Sequence, residues 1–151
     1  MKIEQITVRP PVTAPPATTI AEAAQLMARH AVGSLIVVDG EQLVGIVTDR
    51  DLVVRALARD LAGDTRVDDV MSMNVIALEA GSDVRDALSA FSFHAVRRLP
   101  IVDHGKVTGL LSLDDLVVVL STQFAEVTQG LTAQLLFPHA FDEARPPAIV
   151  E

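Results

Sequence analysis

The sequence repeats itself. Gly45-Ile46-Val47-Thr48-Asp49-Arg50-Asp51-Leu52 returns as Gly109-Leu110-Leu111-Ser112-Leu113-Asp114-Asp115-Leu116, a shift of 64 residues. The same shift, without a gap, lays His30-Ala31-Val32 on His94-Ala95-Val96 and Val38-Asp39 on Val102-Asp103. Conservative pairs extend the match from Ile3/Val67 and Ile6/Val70, through Ile20/Val84, to Val54/Val118, so each unit holds about 55 residues. A repeat in fixed register constrains architecture before any single residue is interpreted, because each copy must bury its apolar face on a neighbour. Units this small bury too little surface to stand alone, so the two halves are expected to share a core.

Composition narrows the function classes. Half the residues are apolar, but Trp and Tyr are absent and there are five Phe, so the interior must be built from Val, Leu, Ile and Ala with Met filling gaps. The net charge of −8 argues against a nucleic-acid surface, which needs a basic patch to neutralise phosphates, and against binding to anionic lipid by charge. Without cysteine, disulfide frameworks and thiol chemistry are excluded. The start, Met1-Lys2-Ile3-Glu4-Gln5, lacks an apolar signal core, and no run of about 18 apolar residues occurs, which predicts a soluble, cytoplasmic protein.

Local patterns supply the elements. Pro10-Pro11 and Pro15-Pro16 bracket an extended Val12-Thr13-Ala14, because proline fixes φ and pushes its predecessor toward extended geometry. Thr19-Ile20-Ala21-Glu22 has capping-box spacing, and Ile20, Ala23, Ala24, Met27 and Ala31 recur at helical intervals. Ser34 to Val38 and Leu43 to Val47 read as buried strands around an Asp39-Gly40 turn, with a second helix from about Asp49. The second copy repeats this order: extended Val75 to Leu78, a helix from about Asp83 to His94, strands 97–102 and 107–111, and a helix from Leu113. That last helix outruns the repeat, with Leu116, Leu120, Phe124, Val127, Leu131 and Leu135 in one stripe that either packs on its own module or meets another subunit. The boundaries expected are 1–62 and 63–121 for the units, 122–137 for a helical extension and 138–151 for a flexible tail.

The duplicated strand-helix-strand-strand-helix order, with Gly-apolar-apolar-Thr/Ser-x-x-Asp closing each unit and Arg97-Arg98-Leu99-Pro100-Ile101-Val102-Asp103 in the second, resembles the CBS domain pair, or Bateman module. The resemblance covers about residues 3 to 120. It implies an α/β (α+β) fold of two tandem β-α-β-β-α units packed about a pseudo-two-fold, here with an extended C-terminal helix. It also implies a regulatory module that binds an adenosine-containing ligand between the units: AMP, ADP, ATP, nicotinamide dinucleotide or S-adenosylmethionine.

Carried onto this sequence, the resemblance makes Asp51 and Asp115 the ribose-binding aspartates, and Thr48, Arg50, Ser112, Arg97 and Arg98 the phosphate side. Val12, Thr13, Ala14, Ile76, Ala77 and Pro100 fall on the adenine pocket. The residue chemistry is compatible: a carboxylate accepts from both hydroxyls of a ribose, while hydroxyls and guanidinium groups suit phosphate. Thr-x-x-Asp and Ser-x-x-Asp are equally capping boxes, which stabilise a helix start with no ligand at all. Only the second unit carries cations at the start of its hairpin, since Gly33-Ser34 stands where Arg97-Arg98 stands, so unequal sites are expected, with Arg97 or Arg98 serving the Asp115 site.

His30 and His94 occupy equivalent helix ends, and no His/Asp/Glu set has metal-ligand spacing. No cofactor is required on this reading, although the acids at 49, 51, 114 and 115 could hold Mg²⁺ beside ATP. No nucleophile elbow, Gly-rich dinucleotide loop or triad is present, so an enzyme is not expected. Two readings stand: a stand-alone homodimeric sensor that signals to an unidentified effector protein, or a dimeric interaction scaffold that binds no nucleotide.

Overall fold

The computed structural model describes residues 1–6 and 9–136. Its elements are β1 (Thr13–Ala14), α1 (Ile20–His30), β2 (Ser34–Asp39), β3 (Gln42–Thr48), α2 (Asp49–Asp51), β4 (Leu78–Glu79), α3 (Val84–His94), β5 (Arg98–Asp103), β6 (Lys106–Ser112) and α4 (Leu113–Leu136). This is the mixed α+β fold with duplicated element order that the sequence implies. The chain divides into two compact units, Met1–Leu113 and a second that begins at Asp114. The tail expected at 138–151, and residue 137 of the helical extension, lie outside the described residues.

Within the first unit all six strands form one sheet, in the order β1-β2-β3-β6-β5-β4. The hairpins β2–β3 and β5–β6 are antiparallel and meet where Gln42 pairs with Lys106, while β1 and β4 add in parallel at the outer edges. The repeat register survives in three dimensions. Ala31 and Ala95, 64 residues apart, both end their helices with φ of 52°, and each hairpin carries a register shift at the same place, Val37/Val38 and Ile101/Val102. Hydrogen bonds draw the helices out of the strands: Thr19 and Glu22 exchange bonds of 2.9 and 3.1 Å at the start of α1, and Asp83 accepts from Arg85 N at 3.0 Å at the start of α3. Bonds from the Thr19 backbone and hydroxyl hold the Glu22 carboxyl below its ordinary pKa.

The halves exchange segments. Residues at the N-terminus pack on the second repeat: Ile3 N donates to Ser82 O at 2.9 Å and Val84 N to Met1 O at 2.9 Å. The segment 64 residues later performs the same service for the first repeat, Val67 N donating to Thr18 O and Ile20 N to Thr65 O, both at 2.8 Å. Ile3 and Val67, each inside a short 3₁₀ turn, are fully buried. Val67 and Val70 belong to a core cluster with Ala14, Ala23, Met27, Leu35, Val37, Val47 and Ala56. The connection then runs along β3, where Ile46 and Ser72 exchange backbone bonds of 3.0 and 2.9 Å. Gly45 makes that approach possible, since a Cβ there would overlap the Met71 side chain, with Cγ and Cε only 3.0 and 3.1 Å away.

The extended segment expected at Val75–Leu78 is displaced. Strand pairing is confined to Leu78 and Glu79, which pair with Ile101 and Val102. Val75 and Ile76 face a cavity instead. The helix expected near Asp49 opens as the α-helical turn α2, widens to a π-helical turn over Leu52–Ala56 and tightens to 3₁₀ at Leu57–Arg59. In α4, Leu116 is buried and Leu120 half-buried, but Phe124 is 71% exposed and Leu131 53%.

Candidate functional site

Where β3 becomes α2, Thr48 and Asp51 form a reciprocal pair. Asp51 N donates to Thr48 Oγ1 at 3.1 Å, and Thr48 N donates to Asp51 Oδ2 at 2.9 Å. The local reading as a capping box is therefore correct, and it holds the Asp51 side chain in one orientation with 15% exposure. The second carboxylate oxygen, Oδ1, lies 3.4 Å from Arg55 Nε. Arg55 is itself anchored, donating through Nη1 to Val70 O at 2.9 Å and to Ser72 Oγ at 3.1 Å. Asp51 is thus fixed from two sides, by its own helix start and by the segment connecting the repeats.

This pair lies on the wall of a cavity of about 310 Å³, lined by Ile46, Thr48, Asp51, Ser72, Asn74, Val75, Ile76, Val96, Arg97 and Arg98. Its apolar lining is Ile46, Val75, Ile76 and Val96, with no aromatic ring. The rest offers hydroxyls, an amide, a carboxylate and two guanidinium groups. Such a mixture suits a small ligand with an apolar plate, vicinal hydroxyls and an anionic group. The volume is at the lower end of the roughly 300–1,000 Å³ typical of ligand pockets.

The structure brings together Thr48, Asp51, Ile76, Arg97 and Arg98 of the residues singled out in the sequence. Arg97 and Arg98, expected at the Asp115 site, line this cavity with Thr48 and Asp51, while Arg98 pairs with Ser112 across the hairpin and Leu113 N donates to Arg97 O at 3.0 Å. In the first repeat Gly33 stands at the position of Arg97 and leaves space. A Cβ at Gly33 would come within 3.3 Å of Arg98 Nη2 and 3.1 Å of Asp49 Oδ2. The arginine of one repeat occupies the gap left by the glycine of the other.

The remaining candidates do not line this cavity. Arg50 is exposed beside Asp49. Ala14 and Pro100 are buried in the strands β1 and β5, and Val12 packs against the first core cluster. Thr13 lines a different, shallow depression with Val38, Gly40, Glu41, Lys106 and Val107, and Ala77 is half-buried just before β4. Ser112 ends β6, and Asp115 lies in the first turn of α4. Sequence reasoning missed Ser72, Asn74 and the anchoring role of Arg55. The available signal was the polar Ser72 and Asn74 alternating with Met71, Met73 and Val75 in the connection.

Comparison with known proteins decides the family. The CBS domain profile matches twice, at residues 3–57 and 67–122. The chain belongs to the CBS-domain family. This CBS-domain pair is similar to the CBS domain-containing protein YhcV of Bacillus subtilis, 41% identical over 106 residues, 70% of this chain and 76% of the relative. Its fold is similar to that of the CBS domain protein PAE2072 from Pyrobaculum aerophilum complexed with AMP: TM-score 0.71, 26% identity, 81% of this chain and 99% of that one. It is also similar to the CBS domain pair of protein MJ0100 in complex with 5′-methylthioadenosine and S-adenosyl-L-methionine: TM-score 0.73, 27% identity, 82% of this chain and 98% of that one. Among the described residues of the CBS pair, no cluster of three or more His, Cys, Asp or Glu is placed to hold a metal ion, and no helix is long and apolar enough to cross a membrane.

Proposed function

We propose that this CBS-domain pair is a regulatory module that binds an adenosyl ligand in the Thr48–Asp51–Arg98 cavity and passes the change to a partner protein. The observation that carries the reading is the convergence of an oriented carboxylate with two arginines and an apolar wall in one cavity. Asp51 would accept from the ribose hydroxyls, Thr48, Arg97 and Arg98 would take the phosphate side, and Ile46, Val75, Ile76 and Val96 would hold the base by aliphatic contact. The AMP and methylthioadenosine carried by similar pairs support this choice of ligand class. The role is binding rather than catalysis, because the cavity offers acceptors and cations but no nucleophile paired with a base. Ligand can then act only through different affinities for two arrangements of the module.

The test is a thermal-shift panel of AMP, ADP, ATP, NAD and S-adenosylmethionine on the full chain. At about 100 times its dissociation constant a ligand adds roughly 2.7 kcal/mol, which moves the midpoint of a chain this size by roughly 5–10 °C. No shift with any of the five would leave the Thr48–Asp51 pair as a cap alone, the scaffold reading.

The same proposal includes a homodimer through α4. Phe124, Val127 and Leu131 recur at spacings of three and four and are each more than half exposed. Between Leu116 and Leu136 the only charge is Glu126, so two copies of an acidic chain could meet along this helix without like-charge repulsion. Light scattering is expected to give twice the chain mass for the wild type and the chain mass for Leu131→Glu. A monomeric wild type, or a dimeric Leu131→Glu, would remove α4 as the seam.

A further inference from the structure

The space above Gly33 holds two opposite charges. Asp49 Oδ2 and Arg98 Nη2 both come within 3.3 Å of the point where a Cβ would stand on Gly33, so the carboxylate and the guanidinium are close neighbours. Asp49 uses its other oxygen locally, Oδ1 accepting from Arg50 N at 2.8 Å. The Arg98 side chain makes no hydrogen bond or ion pair with a described residue. Arg98 lines the cavity and Asp49 does not. The guanidinium therefore lines the cavity and has a carboxylate in its neighbourhood.

We propose that Asp49 determines specificity, limiting the cavity to adenosyl ligands that carry a single phosphate group. The inference rests on the reading of the cavity as an adenosyl-phosphate site. A phosphate reaching Arg98 from inside the cavity gains a charge-assisted bond. A second or third phosphate brought to Arg98 also comes under the charge of Asp49, and Arg97 is the one other cation among the residues that line the cavity. Each added phosphate brings at least one more negative charge, and like charges at such separations repel appreciably near a protein surface. The 310 Å³ volume acts in the same direction, since it leaves little room for a polyphosphate inside the wall. Gly33 is part of the device: any side chain there would displace Asp49 or Arg98.

The experiment is calorimetric titration of the full chain with AMP and ATP, in wild type, Asp49→Asn and Arg98→Gln, each without added Mg²⁺. Asparagine is isosteric and keeps an acceptor for Arg50 N, so the helix start is preserved, and unchanged melting checks this. Wild type is expected to bind AMP at least tenfold more tightly than ATP. Asp49→Asn should narrow that ratio to threefold or less while AMP affinity changes by less than threefold, and Arg98→Gln should weaken both nucleotides. Because Asp49 is exposed, raising salt should narrow the wild-type ratio as well. An AMP-to-ATP ratio unchanged in Asp49→Asn overturns the role of Asp49 while leaving the site intact. Failure of wild type to bind either nucleotide overturns the site reading and this inference together.

Discussion

Ile3→Ala is expected to cost about 2–5 kcal/mol of stability, the usual price of emptying a fully buried isoleucine site, although Ile3 lies at the very start of the chain. Residues near a terminus usually fray unless tied down. This one is tied: its side chain is completely buried, its N–H bonds Ser82 O, and Met1 O receives Val84 N. The damage should therefore appear in the second repeat, more than 70 residues away in sequence, where Ser82 and Val84 stand at the start of α3. Val67→Ala, its mate in the repeat, should do the same to the first repeat, with a penalty smaller by about one methylene, or roughly 0.8 kcal/mol. Urea denaturation followed by circular dichroism gives both numbers. A loss below about 1 kcal/mol for Ile3→Ala would mean that the N-terminal strap is dispensable.

Asp51→Ala is expected to abolish measurable ligand binding and, separately, to lower stability by about 1 kcal/mol through loss of the capping partner. Two hydrogen bonds from ribose hydroxyls to a carboxylate are worth about 1.5–3 kcal/mol each, so their loss weakens binding at least about a hundredfold. The two losses can be separated. Asp51→Asn keeps an acceptor for Thr48 N, at 2.9 Å from Oδ2 in the wild type, and should melt close to wild type while still binding poorly. Calorimetry and melting on the same three proteins decide the matter. If Asp51→Ala melts lower but binds AMP within threefold of wild type, Asp51 is only a cap.

Much of this molecule is legible from residues alone, because a repeat in unbroken register transmits its symmetry directly: the paired hairpins, the capped helices and the matching αL alanines all follow from it. Thr48 and Asp51 were legible for a local reason, since capping chemistry depends on residues three apart. What linear reading could not supply was which half each segment serves. Arg97 and Arg98 lie in the second copy, where Arg98 pairs with Ser112, and nothing in the linear order shows that they also line a cavity with Thr48 and Asp51 of the first. Arg55 was overlooked because its partners, Val70 O and Ser72 Oγ, are 15 and 17 residues away. Val75 and Ile76 are β-formers by composition, but propensity yields to pairing, and strand partners were found only for Leu78 and Glu79.

The exchanged straps put the unit of inheritance and the unit of packing out of phase. The family pattern begins at Ile3 and again at Val67, yet the residues at and around each of those starting points bond to the other copy. A gene fragment ending at residue 62 would carry a strap with nothing to grip and would lack the one it needs. A duplication of this kind, once made, cannot readily be undone: losing either copy unravels the survivor, so the pair is held together by its own topology whether or not a ligand ever bridges it.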